Sequence, residues 1–102
     1  VSRERRPCLA EAALRIELAA LPAWTLTEGA LRRTFLRANF DDALALLIAV
    51  AELARERNHH PDVTIVWNRL TLDLRSHDAG GVTARDADLA HAIDDLAERF
   101  GA

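Results

Sequence analysis

The chain has 102 residues, half of them hydrophobic, which is enough for one buried core and too little for two, so a single domain over 1–102 is expected. A formal charge of −3, from 16 acidic and 13 basic residues, excludes a broad electrostatic grip on nucleic acid. The single cysteine, Cys8, rules out an internal disulfide and fits a reducing compartment, and no apolar run reaches the roughly 18 residues that a membrane span needs.

The first residues, Val1 to Pro7, are polar and arginine-rich, unlike a secretory leader, so a cytoplasmic location is expected. Pro7 can open a first helix, where a proline forfeits no hydrogen bond. Leu14, Leu18 and Leu21 recur at helical spacing with Ile16 to one side, and Pro22 ends that helix. Trp24 to Leu26 reads as a short strand, and Glu28-Gly29 as a turn. Leu31, Arg33, Phe35 and Arg37 then alternate with Arg32, Thr34 and Leu36, as a strand does. Asn39 or Asp41 can cap a second helix running to about Arg57. Its middle, Leu44 to Ala51, is apolar on nearly every side and needs cover on more than one face. Either it lies across a sheet, or a partner subunit supplies part of the cover.

Val63 to Trp67 and Leu70 to Arg75 are strand-like, joined at Asn68-Arg69, and a loop with Gly80-Gly81 follows. Thr83-Ala84-Arg85-Asp86 has the form of a capping box. Leu89, Ile93, Leu96, Ala97 and Phe100 line one face of the helix it opens, and Gly101 stops it. The order is α-β-β-α-β-β-α. It predicts an α+β fold, a four-stranded antiparallel sheet with helices packed on one face.

Three of the four histidines, His59, His60 and His77, fall around the second hairpin. With a two-residue turn at Asn68-Arg69, Trp67 faces Leu70, Ile65 faces Leu72 and Val63 faces Leu74 on one apolar face. The polar face pairs Val66 with Thr71, Thr64 with Asp73 and Asp62 with Arg75. Continued once more, this register sets His60 opposite His77. Pro61 keeps His60 out of the helical region, so the second helix should end at or before His59. Histidines gathered in this way point to proton transfer near neutral pH.

His59-His60-Pro61, Trp67 six positions on, His77 ten further and Asp86 nine further resemble the pterin-4a-carbinolamine dehydratases. The resemblance extends from about Trp24 to Leu96. It takes in Asp78-Ala79-Gly80-Gly81-Val82-Thr83, Arg85-Asp86 and, upstream, Trp24, Leu31, Arg33, Phe35 and Phe40. It implies a dehydratase that eliminates water from 4a-hydroxytetrahydropterin to give quinonoid dihydropterin, without a metal or organic cofactor, in dimers or dimers of dimers. His59 and His77 are then the expected acid/base groups, with His60 orienting the pterin. Asn58, Pro61, Arg75, Ser76 and Asp78 are the expected flanking contacts. The family's usual acid four positions before the first histidine is replaced by Arg55, with Glu56 one position later as a candidate supporting acid. Arg57 sits where the family tends to be apolar. Some members also bind transcription regulators through their helical face. An interaction module with a protein partner is therefore the alternative function.

Taken without the resemblance, three histidines near a hairpin are also compatible with a solvated polar face. A zinc site is a third reading, although adjacent histidines chelate one ion awkwardly and no cysteine is near. Trp67 is expected in the core rather than stacked on substrate. Asp86 is expected chiefly as the capping-box acid, with a supporting role at the site as the second choice. His91 is expected to be solvated.

Overall fold

Alternation of apolar and polar residues builds two hairpins into one antiparallel sheet. The structure, a computed structural model, describes residues 7–102. Its strands are β1 (Thr25–Thr27), β2 (Ala30–Leu36), β3 (Asp62–Val66) and β4 (Arg69–Leu74), in the order β1-β2-β4-β3. The expectation of no leader sequence falls largely on residues 1–6, outside the described residues. Leu31 pairs with Leu74, Arg33 with Leu72 and Val63 beyond it, and Phe35 with Leu70 and Ile65 beyond it. These share the inner face. The outer face carries Arg32, Asp73 and Asp62 in one row and Thr34, Thr71 and Thr64 in the next. It can meet water because its polar groups satisfy one another. Arg32 donates to both Asp73 oxygens at 2.7 and 3.1 Å, which raises its already high pKa, and the Thr34 and Thr71 hydroxyls meet at 3.1 Å.

The helices are α1 (Glu11–Ala19), α2 (Phe40–Arg57) and α3 (Ala84–Arg99), completing the expected α-β-β-α-β-β-α order. Leu46 and Val50 of α2 and Leu89, Ile93 and Ala97 of α3 are buried in one core with Leu31, Phe35, Leu70, Leu72 and Leu74 of the sheet. Each such leucine contributes about 1.5–3 kcal/mol by leaving water. Asn39 caps α2 by accepting from the Asp42 N–H at 2.8 Å. Asn58, left-handed at φ 51°, ends it, as asparagine can do at little steric cost. Arg33 lies on the inner face because Asp94 of α3 receives it at 2.5 Å, while Asp94 also accepts from the Trp24 indole at 2.7 Å.

Two expectations are corrected at the ends of elements. The first helix starts at Glu11, not Pro7. The residues before it are held in a non-helical path by the loop ahead of α3, where Leu9 N–H donates to Val82 O at 2.9 Å and the Cys8 thiol to Ala79 O at 3.2 Å. The first strand is Thr25–Thr27 rather than Trp24 to Leu26, since Trp24 is buried ahead of it.

The second hairpin turns at Trp67-Asn68, not at Asn68-Arg69. Val66 pairs with Arg69, Ile65 with Leu70 and Val63 with Leu72. The whole register is thus shifted by two residues, which leaves the side chains of β3 and of Leu70 to Leu74 on their expected faces. The turn forms earlier because β2 claims Asn68 and Arg69. Arg69 pairs with Leu36, Asn68 O accepts from Arg37 N–H at 2.8 Å, and the Asn68 amide donates to Arg37 O at 2.9 Å. Trp67 therefore occupies a corner with φ 54° and is 63% exposed, not in the core.

Candidate active site

The site is built where α2 stops. The left-handed turn at Asn58 throws His59 off the helix axis toward the start of α3. There, His59 Nε2 lies 2.5 Å from Asp86 Oδ1, with the imidazole 11% exposed and the carboxylate wholly buried. A buried carboxylate is tolerated only when its lone pairs are filled. Asp86 Oδ2 accepts from Thr83 N–H at 2.8 Å and from the Ser76 hydroxyl at 3.0 Å, and Ser76 and Thr83 hydroxyls meet at 2.8 Å. Asp86 is thus the capping-box acid expected of it, and its second oxygen also anchors a histidine. Ser76, placed among the substrate contacts, is instead buried, with its hydroxyl committed to this cluster.

His77 lies on the turn after β4 and is 66% exposed. Its Nε2 is 3.3 Å from Asp62 Oδ1, while Arg75 Nε is 3.5 Å from Asp62 Oδ2. The expected Asp62–Arg75 pairing therefore survives as an ion pair even though the backbone register differs. The expected face-to-face placement of His60 and His77 does not. Strand pairing ends at Asp62–Asp73, and that register carried outward sets Arg75 across from His60. His60, Asn58, Arg75 and Asp78 are all exposed. Glu56 and Arg55 are exposed on the last turn of α2.

A cleft of about 250 Å³ opens beside His59, lined also by Arg57, Arg85 and Asp88. Arg85 donates to Asn58 O at 2.7 Å and so ties α3 to the end of α2. A second cleft, of about 350 Å³, continues from Arg57 and Asp88 along the groove between α2 and α3 toward His91. His91 is exposed and 3.3 Å from Glu17 of α1. Asp62, Arg85 and Asp88 were not selected from the sequence. Asp62 was legible as the charged partner of Arg75 and Arg85 as part of the Arg85-Asp86 motif, whereas Asp88 carried no signal beyond lying near Asp86. Among the described residues no three of His, Cys, Asp and Glu are grouped so as to hold a metal ion. Among the same residues no helix is long and apolar enough to cross a membrane.

Fold and site together define a small α+β domain in which a buried carboxylate orients a histidine at the rim of a polar cleft. The family model described as pterin 4 alpha carbinolamine dehydratase matches residues 7–96, and the chain belongs to that family. A Chloroflexus aurantiacus protein named "Putative pterin-4-alpha-carbinolamine dehydratase" is 47% identical over 90 residues, 88% of this chain and 97% of its own. A protein of the same name from a Roseiflexus species is 42% identical over 88 residues, 86% of this chain and 95% of its own. A solved structure, a transcriptional coactivator/pterin dehydratase from Brucella melitensis, is 27% identical with a TM-score of 0.82, covering 87% of this chain and 97% of that one.

Proposed function

We propose that this protein eliminates water from 4a-hydroxytetrahydropterin to give quinonoid dihydropterin, with histidines as the general acid and base. The observation that carries the reading is the anchoring of His59 by Asp86 at the edge of a cleft, within a chain of this family. An ionised carboxylate only accepts hydrogen bonds, so Asp86 favours the tautomer with the proton on Nε2. That leaves Nδ1 with a lone pair able to take a proton from a ring nitrogen of the substrate. His77, held by Asp62 and open to solvent, is suited to deliver a proton to the departing hydroxyl. Such catalysis contributes about 10²–10⁴-fold. His60 orients the pterin, with Asn58, Pro61, Arg75 and Asp78 around it. Ser76 and Asp86 act behind His59, and Glu56 supports the site from the end of α2. No metal or organic cofactor takes part.

The reading extends to a soluble, cytoplasmic homodimer or tetramer. Phe40, Leu44 and Ile48 support self-association, because they form an exposed apolar stripe four residues apart along α2. Stopped-flow turnover of freshly made 4a-hydroxytetrahydropterin tests the enzyme reading. A second reading, a coactivator-like interaction module, is favoured by the coactivator in the name of the Brucella melitensis structure and by the same stripe. It predicts no turnover above buffer.

A further inference from the structure

Two consecutive residues of α3 grip two consecutive residues at the end of α2, and they do so in different ways. Arg85 Nη2 donates to the main-chain carbonyl of Asn58 at 2.7 Å, while Asp86 Oδ1 meets the His59 ring at Nε2, 2.5 Å away. The peptide unit between Asn58 and His59 is also held on its opposite edge. With Asn58 left-handed, α2 closes in a Schellman motif: Asn58 N–H donates to Arg55 O at 3.2 Å and His59 N–H to Ala54 O at 3.1 Å. A trans peptide is planar, with its C=O and N–H on opposite edges. Here the N–H is tied back into α2 and the C=O across to α3, so the plane cannot swing. Arg85 is not required for charge, because Arg55 and Arg57 already supply cations to the last turn of α2. It is not required to dock the helices either, since Val50, Leu89 and Ile93 are buried in one core. What it adds is a fixed direction for one carbonyl.

We infer that Arg85 is a positioning residue for the dehydration: by fixing the Asn58–His59 peptide it sets the angle at which His59 and His60 meet the pterin. This rests on the pterin reading above and deepens it. A ring held at Nε2 alone could pivot about Asp86. Once its main chain is fixed too, Nδ1, the atom that takes the substrate proton in that reading, has one place. His60 comes next in the chain, and Pro61 keeps its backbone extended. The orientation of the peptide is therefore passed on to the group that orients the substrate. A misplacement of about 1 Å can cost about 10²-fold in rate. The loss of one solvent-facing hydrogen bond, by contrast, changes stability little. Arg85 should therefore weigh on kcat much more than on folding.

Stopped-flow kinetics of Arg85→Met and Arg85→Lys, with nitrogen NMR of isotope-labelled histidine, test this. Arg85→Met keeps the stem and removes the donors. It should lower kcat by about tenfold or more, leave KM nearly unchanged and hold the melting temperature. In its spectrum the His59 ring should lose the single Nε2-protonated form and average between tautomers. Arg85→Lys restores one donor, enough for one carbonyl, and should recover most of the rate. Arg85→Ala, which suits a helix, repeats the kinetic and NMR test if the methionine variant does not fold. A wild-type kcat in the neutral variant, or a loss carried wholly by KM, would overturn the inference, and so would a lysine variant as slow as the neutral one. If wild type turns over no substrate, the pterin reading falls and the spectrum alone decides the clamp: an unmoved His59 signal in the neutral variant would overturn it.

Discussion

Each oxygen of Asp86 has a separate task. Oδ2 closes the capping box and takes the Ser76 hydroxyl, and Oδ1 holds His59. Replacement by alanine should leave the Thr83 N–H without its acceptor while the Thr83 side-chain cap on Arg85 N–H stays. It should also leave the Ser76 and Thr83 hydroxyls with only each other as side-chain partners, and a destabilisation of about 1–3 kcal/mol in urea unfolding is expected in total. Asp86→Asn keeps the shape but puts an amide where an acceptor is needed, so it should lower turnover more than it lowers stability. His59→Ala and His77→Ala are each expected to reduce turnover by about tenfold or more, and unchanged rates in both would contradict their assignment. The roles of these residues were only partly legible in the sequence. A capping box is a local pattern read from Thr83 and Asp86 alone. That the same carboxylate meets His59 depends on how α3 packs against the end of α2, which no local spacing encodes. Ser76 looked available for substrate because polar residues near histidines usually face water, but the cluster around Asp86 draws it inside.

At the scale of elements, faces were easier to foresee than registers. Alternation sorts Val63 and Ile65 from Asp62 and Thr64 under any even shift of pairing. The apolar face of the second hairpin was therefore predicted correctly while the turn was misplaced by one residue. What decided the turn lay just past the end of β2, where the Arg37 main chain binds both the carbonyl and the side-chain amide of Asn68. Trp67 is carried to a positive-φ corner as a consequence, and its composition gave no hint of that. The first hairpin obeys a local rule more closely. Glu28 and Gly29 both have positive φ, at 51° and 79°, as a tight two-residue hairpin turn requires. Glutamate is not favoured at such a corner, whereas asparagine is. Glu28→Asn is therefore expected to stabilise the protein by about 0.5–1 kcal/mol, visible as a raised urea midpoint with unchanged slope.

For the whole molecule, the packing of α2 and α3 on one side of the sheet leaves two consequences. The end of α2 and the start of α3 converge on the His59 cleft, so the proposed site is built at junctions of elements rather than on any one of them. The outward stripe of Phe40, Leu44 and Ile48 is left uncovered, and the homo-oligomer reading assigns its cover to a second copy. Sedimentation of wild type should show a species larger than a monomer. Ile48→Asp should shift it toward the monomer, because a charge buried in such a seam would lack a partner. A clean wild-type monomer would contradict self-association through α2. That α2 needs cover on more than one face was legible from its apolar middle, whereas the identity of the cover was not, since a sheet and a partner make the same demand on a helix.

The central claim is catalytic, and stopped-flow turnover tests it most directly. With freshly generated 4a-hydroxytetrahydropterin, wild type should form quinonoid dihydropterin well above the buffer rate, and His59→Ala should fall back by about tenfold or more. A wild-type rate no faster than buffer would contradict the account.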